Sequence, residues 1–159
     1  MAKYKACDIA NWFLFNQDPE LGDITNLKLQ KLLYYAQAWY LVFFNNKPLF
    51  SDDFQAWTHG PAIPKVYRKY KDFGFTTILK PDKEVKLDED TTALLNEIDR
   101  VYGKYSAKYL EELTHKETPW IQTRGNLSPE ARCENIIAKD LMYEYYSKQL
   151  EEAKANGTL

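Results

Sequence analysis

The clearest pattern in the chain is a run of apolar residues at helical spacing between residues 26 and 44. Thr25 or Asn26 is suited to cap its first turn, because a side-chain oxygen there can accept from a free backbone N–H. Two groups lie on opposite sides of the helical wheel: Leu29, Leu32, Leu33, Ala36, Tyr40 and Phe43 on one, and Tyr34, Ala38, Leu41 and Val42 on the other. A helix that is apolar on every side is buried on every side. The pattern therefore predicts a buried central helix at about residues 26–44.

Five further segments carry a single apolar stripe at helical spacing, which is typical of shorter amphipathic helices. They cover residues 4–15, 64–73, 88–102 and 107–114, and a last segment from Ser128 to about Glu152. The last helix is expected to begin at Ser128, because serine is a favourable N-cap and Pro129 suits the first helical position. Residues 115–125 are expected to form a loop.

Only two short stretches suggest strands. Residues 53–58 alternate between apolar and polar side chains, and residues 76–79 are a second candidate. Between them, residues 60–64 (Gly-Pro-Ala-Ile-Pro) indicate a turn. The predicted fold is therefore mainly α: a single compact helical bundle around the central helix, with at most a small β element near 53–58 and 76–79.

The length of the chain fits a single domain, and its composition is unusually rich in aromatic residues. The 159 residues match the length of about one domain, which we place at 1–152 with a frayed tail at 153–159. The chain holds 12 Tyr, 8 Phe and 4 Trp, enough for a sizeable aromatic core. A net charge of −2 argues against a protein that coats nucleic acid through bulk electrostatics.

The sequence indicates a reducing compartment and no membrane attachment. Cys7 and Cys133 lack Cys-x-x-Cys spacing, so neither a disulfide framework nor a zinc knuckle is expected. The longest apolar run, residues 38–44, is far shorter than the roughly 20 residues of a membrane span. The first residues contain no apolar segment of the kind found in signal peptides. We therefore expect a cytoplasmic protein.

Motifs for catalysis, metals and cofactors are missing from the sequence. Cys7, His59, His115 and Cys133 do not have the spacing of a zinc site, so no metal is expected. No Gly-x-Ser-x-Gly elbow and no glycine-rich phosphate loop occurs, so neither a serine nucleophile nor a nucleotide cofactor is indicated. A hydrolase with His59 or His115 as its base is the least favoured of the functional hypotheses.

Two kinds of binding surface remain open. A basic face could contact phosphates, with a solvated helix surface as the simpler interpretation; it consists of Lys65, Arg68, Lys69 and Lys71. Rings in excess of what the core can bury would suit a protein interface; the candidates are Tyr34, Tyr35, Trp39 and Trp57. The ring surplus favours a protein-binding module over an enzyme.

Three stretches of the chain carry a resemblance to one family. They are residues 28–39 (Lys-Leu-Gln-Lys-Leu-Leu-Tyr-Tyr-Ala-Gln-Ala-Trp), residues 56–67 (Ala-Trp-Thr-His-Gly-Pro-Ala-Ile-Pro-Lys-Val-Tyr), and Thr114-His115 with Pro119-Trp120. In this order and spacing they resemble the Panacea domain, also described as the SocA-like antitoxin or phage-associated protein family. Ala62 departs from the pattern, which would have valine after Gly-Pro.

The resemblance implies a bacterial or prophage antitoxin that neutralises its toxin by direct protein–protein binding. It implies a toxin encoded nearby as partner, a protease as a possible second partner, and no enzymatic activity. Seven residues around the Gly-Pro turn and the hallmark helix are the expected partner-binding residues: Lys31, Tyr34, Tyr35, Trp57, His59, Gly60 and Pro61. The alternative function is a nucleic-acid-binding regulator that uses the Lys65–Lys71 face. The chain has no room for the added DNA-binding domain that some members carry.

Overall fold

The computed structural model describes residues 2–157 of the chain. Its elements in chain order are α1 (Ala6–Phe15), α2 (Asn26–Phe43), β1 (Phe54–Trp57), β2 (Gly60–Ala62), α3 (Pro64–Tyr70), α4 (Glu89–Tyr102), α5 (Ala107–Thr114), α6 (Thr118–Arg124), β3 (Ile136–Ile137) and α7 (Lys139–Ala155). A short 3-10 turn at Lys71–Phe73 follows α3. The prediction of a mainly α fold with a small β element is confirmed.

Helix α2 begins where the sequence predicts a cap. The Thr25 hydroxyl accepts a hydrogen bond from the Lys28 backbone N–H at 3.2 Å. From Asn26 to Leu41 every residue of α2 is buried except Leu27 and Trp39, which are half-buried. The helix contacts α1, α3, α4, α5, α7 and β2. The polar residues of α2 are therefore buried together with its apolar ones.

The β element is a three-stranded antiparallel sheet in the order β2-β1-β3. Strands β1 and β2 form a tight hairpin in which Trp57 is paired with Gly60 and Gln55 with Ala62. Strand β3 pairs with the other edge of β1, with Phe54 opposite Ile137. The sheet thus includes residues 60–62, which the sequence analysis assigned to a turn.

The expected strand at 76–79 is wrong, because this segment is irregular. The Ile78 backbone N–H donates to the Ile24 carbonyl at 2.9 Å, and its carbonyl accepts from the Gln17 side chain at 3.4 Å. These partners belong to the loop before α2, so the segment is held by a loop and forms no strand pairing.

Two further expectations between α5 and α7 are wrong. Residues 118–124 are helix α6, which Pro119 helps to begin, and the last helix starts at Lys139 rather than Ser128. The Arg124 guanidinium donates to the carbonyls of Ser128 and Ala131 at 2.8 and 2.6 Å, which holds residues 128–131 in a loop. At the other end α7 continues to Ala155, beyond the expected 152. Of the expected frayed tail, residues 158 and 159 lie outside the described residues.

Candidate partner-binding cavity

A cavity of about 720 Å³ opens between α2, the β1–β2 hairpin, α3 and α5. Large apolar side chains form most of its walls; they are Leu27, Trp57, Tyr67 and Phe75. The small residues Ala62 and Cys133 complete the apolar lining. Buried polar side chains line its base; they are Asn26, Gln30, Lys31 and Glu111. His59, Arg132 and Glu134 add polar groups to the lining. The combination of apolar walls with a few polar groups is typical of binding sites.

Polar side chains of α2 attach the hairpin to the helix. The Gln30 side-chain oxygen accepts from the Ile63 N–H at 2.8 Å, and the Lys31 ammonium donates to the Pro61 carbonyl at 2.9 Å. The Asn26 amide donates to the Tyr67 carbonyl at 3.0 Å. Since β2 leads directly into α3, these three bonds position both elements that border the cavity.

Gly60 permits the hairpin to approach α2 closely. Its φ of +102° lies in a region that residues with a side chain rarely adopt. A Cβ atom at this position would lie 2.6 Å from the Lys31 Cε and 2.9 Å from the Thr114 Oγ1. The glycine is therefore needed both for the backbone turn and for the space that the lysine occupies.

Two charged groupings border the cavity: Arg132 pairs with Glu134 at 3.1 Å, and Glu111 is the centre of the other. The buried Glu111 carboxylate lies 3.1 Å from the His59 Nδ1 and 3.8 Å from the Lys108 ammonium. The His59 side chain is 73% exposed, so it lies at the rim of the cavity. Burial lowers the pKa of Lys31 to about 7, although the negative charge of Glu111 acts in the opposite direction.

Of the predicted partner-binding residues, Trp57, His59, Lys31 and Gly60 line the cavity. Only His59 is fully exposed among them, and Trp57 is half-buried. Lys31 is buried although it lines the cavity, and its role in partner binding stays a prediction. Pro61 is also buried, as part of β2. Its carbonyl accepts the hydrogen bond from Lys31.

The rings of Tyr34 and Tyr35 are in the core rather than on the surface. The Tyr35 hydroxyl donates to the Glu117 carboxylate at 2.6 Å, and the Tyr34 hydroxyl is hydrogen-bonded to the Tyr146 hydroxyl at 3.1 Å. Both rings are buried without leaving a polar group unsatisfied, which is why they are not surplus. The expectation that these two tyrosines present an exposed binding surface is therefore wrong.

Sequence reasoning missed the most exposed ring at the cavity. Phe75 is 97% exposed, and Tyr67 is partly exposed with its ring edge-on to Trp57 at 5.0 Å between centroids. The signal for Phe75 was its place in an irregular segment directly after Gly74, where no periodic pattern offers it a buried neighbour. An aromatic side chain of this kind, held at the mouth of a cavity, is typical of a protein-binding surface.

The other candidate groups lie apart from this cavity. His115 stacks on Trp120 at 3.9 Å between ring centroids and is not part of the cavity lining. The basic residues Lys65, Arg68, Lys69 and Lys71 are all exposed, and within residues 2–157 none of them forms an ion pair.

The described part of the chain holds neither a metal cluster nor a membrane-spanning helix. Residues 2–157 contain no group of three or more His, Cys, Asp or Glu side chains that could hold a metal ion. None of the helices within the same range has the length and apolar character needed to cross a membrane.

Comparisons with known proteins agree on one family. The family described as "Antitoxin SocA-like, Panacea domain" matches residues 29–121, which include most of α2, the hairpin, α3 and α5. Antitoxin SocA of Caulobacter vibrioides (strain NA1000 / CB15N) is 34% identical over 114 residues, which are 61% of this chain and 58% of that protein. The chain thus matches less than two thirds of the length of this curated relative. No solved structure matches the chain.

Proposed function

The chain belongs to the SocA-like, Panacea-domain antitoxin family, and from this premise we propose that it is an antitoxin that binds its toxin directly. The toxin in this proposal is the product of a gene that lies near the gene for this chain. Neutralisation follows from occlusion of the toxin's active surface. We propose that the chain acts as a stoichiometric partner and not as an enzyme.

The observation that carries the proposal is the exposed aromatic mouth of the cavity. Phe75 presents almost all of its surface to solvent, and Tyr67 and Trp57 extend the apolar surface beside it. Aromatic side chains that surround a pocket are the groups that dominate binding energy at protein interfaces. This mouth lies within the segment that matches the family, which supports its use for the family's shared activity.

The test is a co-expression experiment with the product of the neighbouring gene. Wild-type protein should rescue growth and co-purify with the toxin, and complete neutralisation should be reached at equal amounts of the two proteins. Phe75→Ser should weaken the complex by about tenfold or more, because a central aromatic contact is lost. Its exposure predicts an unchanged melting temperature.

The matched control is Leu79→Ser. Leu79 lies in the same irregular segment and is 75% exposed, but it does not line the cavity. This variant should bind the toxin like the wild type. Equal weakening by both substitutions would contradict the cavity mouth as the interface. In a mixture of the two purified proteins, where no protease is present, neutralisation at a small fraction of the toxin's concentration would contradict the stoichiometric mechanism.

The basic face supports an alternative function as a nucleic-acid-binding regulator. Its four cations are exposed and none forms an ion pair within the described residues, although Lys69 lies over the Tyr70 ring at 5.5 Å; this exposure suits them to contact phosphates. A gel-shift series in increasing salt tests this alternative, because phosphate contacts make affinity fall steeply with salt. No shift at low salt would rule it out.

If the chain is an antitoxin, we propose as an additional step that it delivers the bound toxin to a protease. A toxin half-life that is shortened by this chain in cells, and restored when the cellular protease is removed, would support it. A half-life that does not change on co-expression would contradict it.

A further inference from the structure

Helix α2 contains two lysines that are equally buried but differently paired. Lys28 and Lys31 are each 1% exposed. The Lys28 ammonium is 2.7 Å from the Asp23 carboxylate and 2.7 Å from the Gly103 carbonyl. The Lys31 ammonium has one hydrogen bond, to the Pro61 carbonyl. Among residues 2–157, no carboxylate lies within 4.0 Å of the Lys31 Nζ.

Glu111 does not take the place of the missing counter-ion. Its Oε2 atom is bound to His59 and lies near Lys108, and it acts on Lys31 only over a longer distance. A lysine ammonium has three donors, and a buried charge is unfavourable unless acceptors surround it. Because Lys31 lines the cavity, what occupies the cavity can supply the acceptors that the chain does not.

The rest of the cavity selects for an apolar ligand. Its volume of about 720 Å³ is within the range of pockets that hold small molecules. Trp57, Tyr67 and Phe75 offer ring surfaces against which an apolar body can pack. The nearby negative charge of Glu111 disfavours a second anionic group on the ligand.

We propose that this cavity is a binding site for a monocarboxylate with a large apolar body, whose carboxylate pairs with Lys31 as Asp23 pairs with Lys28. The apolar body packs between the rings of the walls, and the carboxylate lies at the base of the cavity. Both a free organic acid and the carboxyl end of a partner's chain with an apolar last residue carry this chemistry. The site does not depend on the proposed antitoxin function, since it is a property of the chain alone.

The experiment titrates the purified chain with indole propionate and with its neutral amide. Because burial lowers the pKa of Lys31 to about 7, the titrations are made at about pH 6, where the ammonium form dominates. The acid should bind, and the amide should bind at least about tenfold more weakly, because it cannot form the ion pair. A short peptide that ends in tryptophan, with a free or an amidated carboxyl end, forms the second arm. Binding of the free acid alone assigns a small molecule, and binding of the free-ended peptide alone assigns a chain terminus; either result supports the site.

Two pairs of variants locate the site. Lys31→Met should lower affinity for the acid by about tenfold or more, and Met is close in volume to the buried lysine stem. Phe75→Ser should weaken binding at the mouth, whereas Leu79→Ser should not, and neither exposed residue is needed for folding. This second pair decides the question even if Lys31→Met fails to fold.

Three outcomes would overturn the proposal. They are equal affinity for acid and amide, unchanged affinity in a folded Lys31→Met variant, and no binding of any of the four titrants to the wild type. Because no toxin is present, each of these results leaves the co-expression experiment to decide the antitoxin function separately.

Discussion

Gly60 is the residue at which the cavity tolerates least change. Its φ is +102°, and an added Cβ would meet the Lys31 Cε at 2.6 Å and the Thr114 Oγ1 at 2.9 Å. Thr114 is fixed in turn, because its hydroxyl donates to the Glu111 carbonyl at 2.8 Å. Neither neighbour can move without disturbing a buried polar contact, so the close approach of hairpin and helix depends on the missing side chain.

Gly60→Ala is therefore expected to destabilise the protein more than the same change at Gly74. Gly74 has a positive φ of +56°, but nothing lies within 4 Å of an added Cβ there. Both substitutions incur backbone strain, and only Gly60→Ala adds overpacking, which costs about 1–3 kcal/mol in well-packed sites. The difference should appear in free energies of unfolding from urea titrations. Equal values for the two variants would contradict the close contact with Lys31.

At the scale of elements, buried amides of α2 attach the segments that surround it. Gln37 is fully buried; its side-chain oxygen accepts from the Leu49 N–H and its amide donates to the Phe50 carbonyl, both at 2.7 Å. The Gln30 side-chain oxygen likewise accepts from the Ile63 N–H, which attaches the start of α3. Unpaired buried backbone groups are unfavourable, so these side chains take the place of a strand partner for irregular segments.

Gln37→Leu should lower the free energy of unfolding by about 2–6 kcal/mol, because two buried backbone groups lose their partners at about 1–3 kcal/mol each. Thermal and urea unfolding measure this loss. Gln122→Leu on α6 is the matched control, since Gln122 is exposed, and it should change stability by less than about 0.5 kcal/mol. A Gln37→Leu protein as stable as this control would show that water replaces the lost bonds.

The spacing of apolar residues predicts a helix correctly in this chain where apolar packing alone determines the local structure. Helix α2 was expected at 26–44 and is Asn26–Phe43, and α5 agrees with its expected range. Residues 128–138 were expected to be helical, and a serine cap followed by proline supported that interpretation. The hydrogen bonds from Arg124, and the pairing of β3 with β1, favour an irregular segment and a strand instead. Long-range contacts of this kind are not visible in a local pattern.

The cavity was only partly predictable for a similar reason. The Gly-Pro turn led to Trp57 and His59, which do line it. Counting rings indicated that some must be exposed, but it could not tell which hydroxyls find buried partners. Tyr34 and Tyr35 find them and are buried, whereas Phe75 lies outside the helices and strands and is exposed. The basic and acidic groups of the cavity come from α2, the hairpin, α5 and the segment before β3, which only the tertiary structure brings together.

At the scale of the whole molecule, a buried cluster of hydroxyls and one carboxylate joins helices that are distant in sequence. The Glu117 carboxylate, just before α6, accepts from Tyr35 of α2 at 2.6 Å and from Tyr146 of α7 at 2.8 Å. Tyr35 also stacks on Tyr102 of α4, with ring centroids 4.1 Å apart. Four helices therefore meet at a single ionisable group.

This cluster makes the stability of the fold depend on the protonation of Glu117. Burial raises the pKa of Glu117 above its usual value, although the hydrogen bonds from Tyr35 and Tyr146 act in the opposite direction. The folded chain consequently holds this proton to a higher pH than the unfolded chain does. The resulting stabilisation is complete below the pKa of the unfolded carboxyl and is lost as pH rises through the pKa of the folded one.

Glu117→Gln should therefore flatten the pH dependence of stability. Glutamine keeps an oxygen that accepts from the two tyrosines but does not ionise, so the variant lacks the loss that the wild type suffers as pH rises from about 4.5 through the raised pKa of the folded carboxyl. The difference between the two free energies of unfolding should change with a slope of at most about 1.4 kcal/mol per pH unit, with the wild type relatively most stable at the acidic end. Urea unfolding of both proteins at several pH values measures this slope, and contributions from other carboxylates cancel in the comparison. Parallel curves would mean that Glu117 ionises in the fold as it does in water, and that the junction of four helices accommodates a charge without penalty.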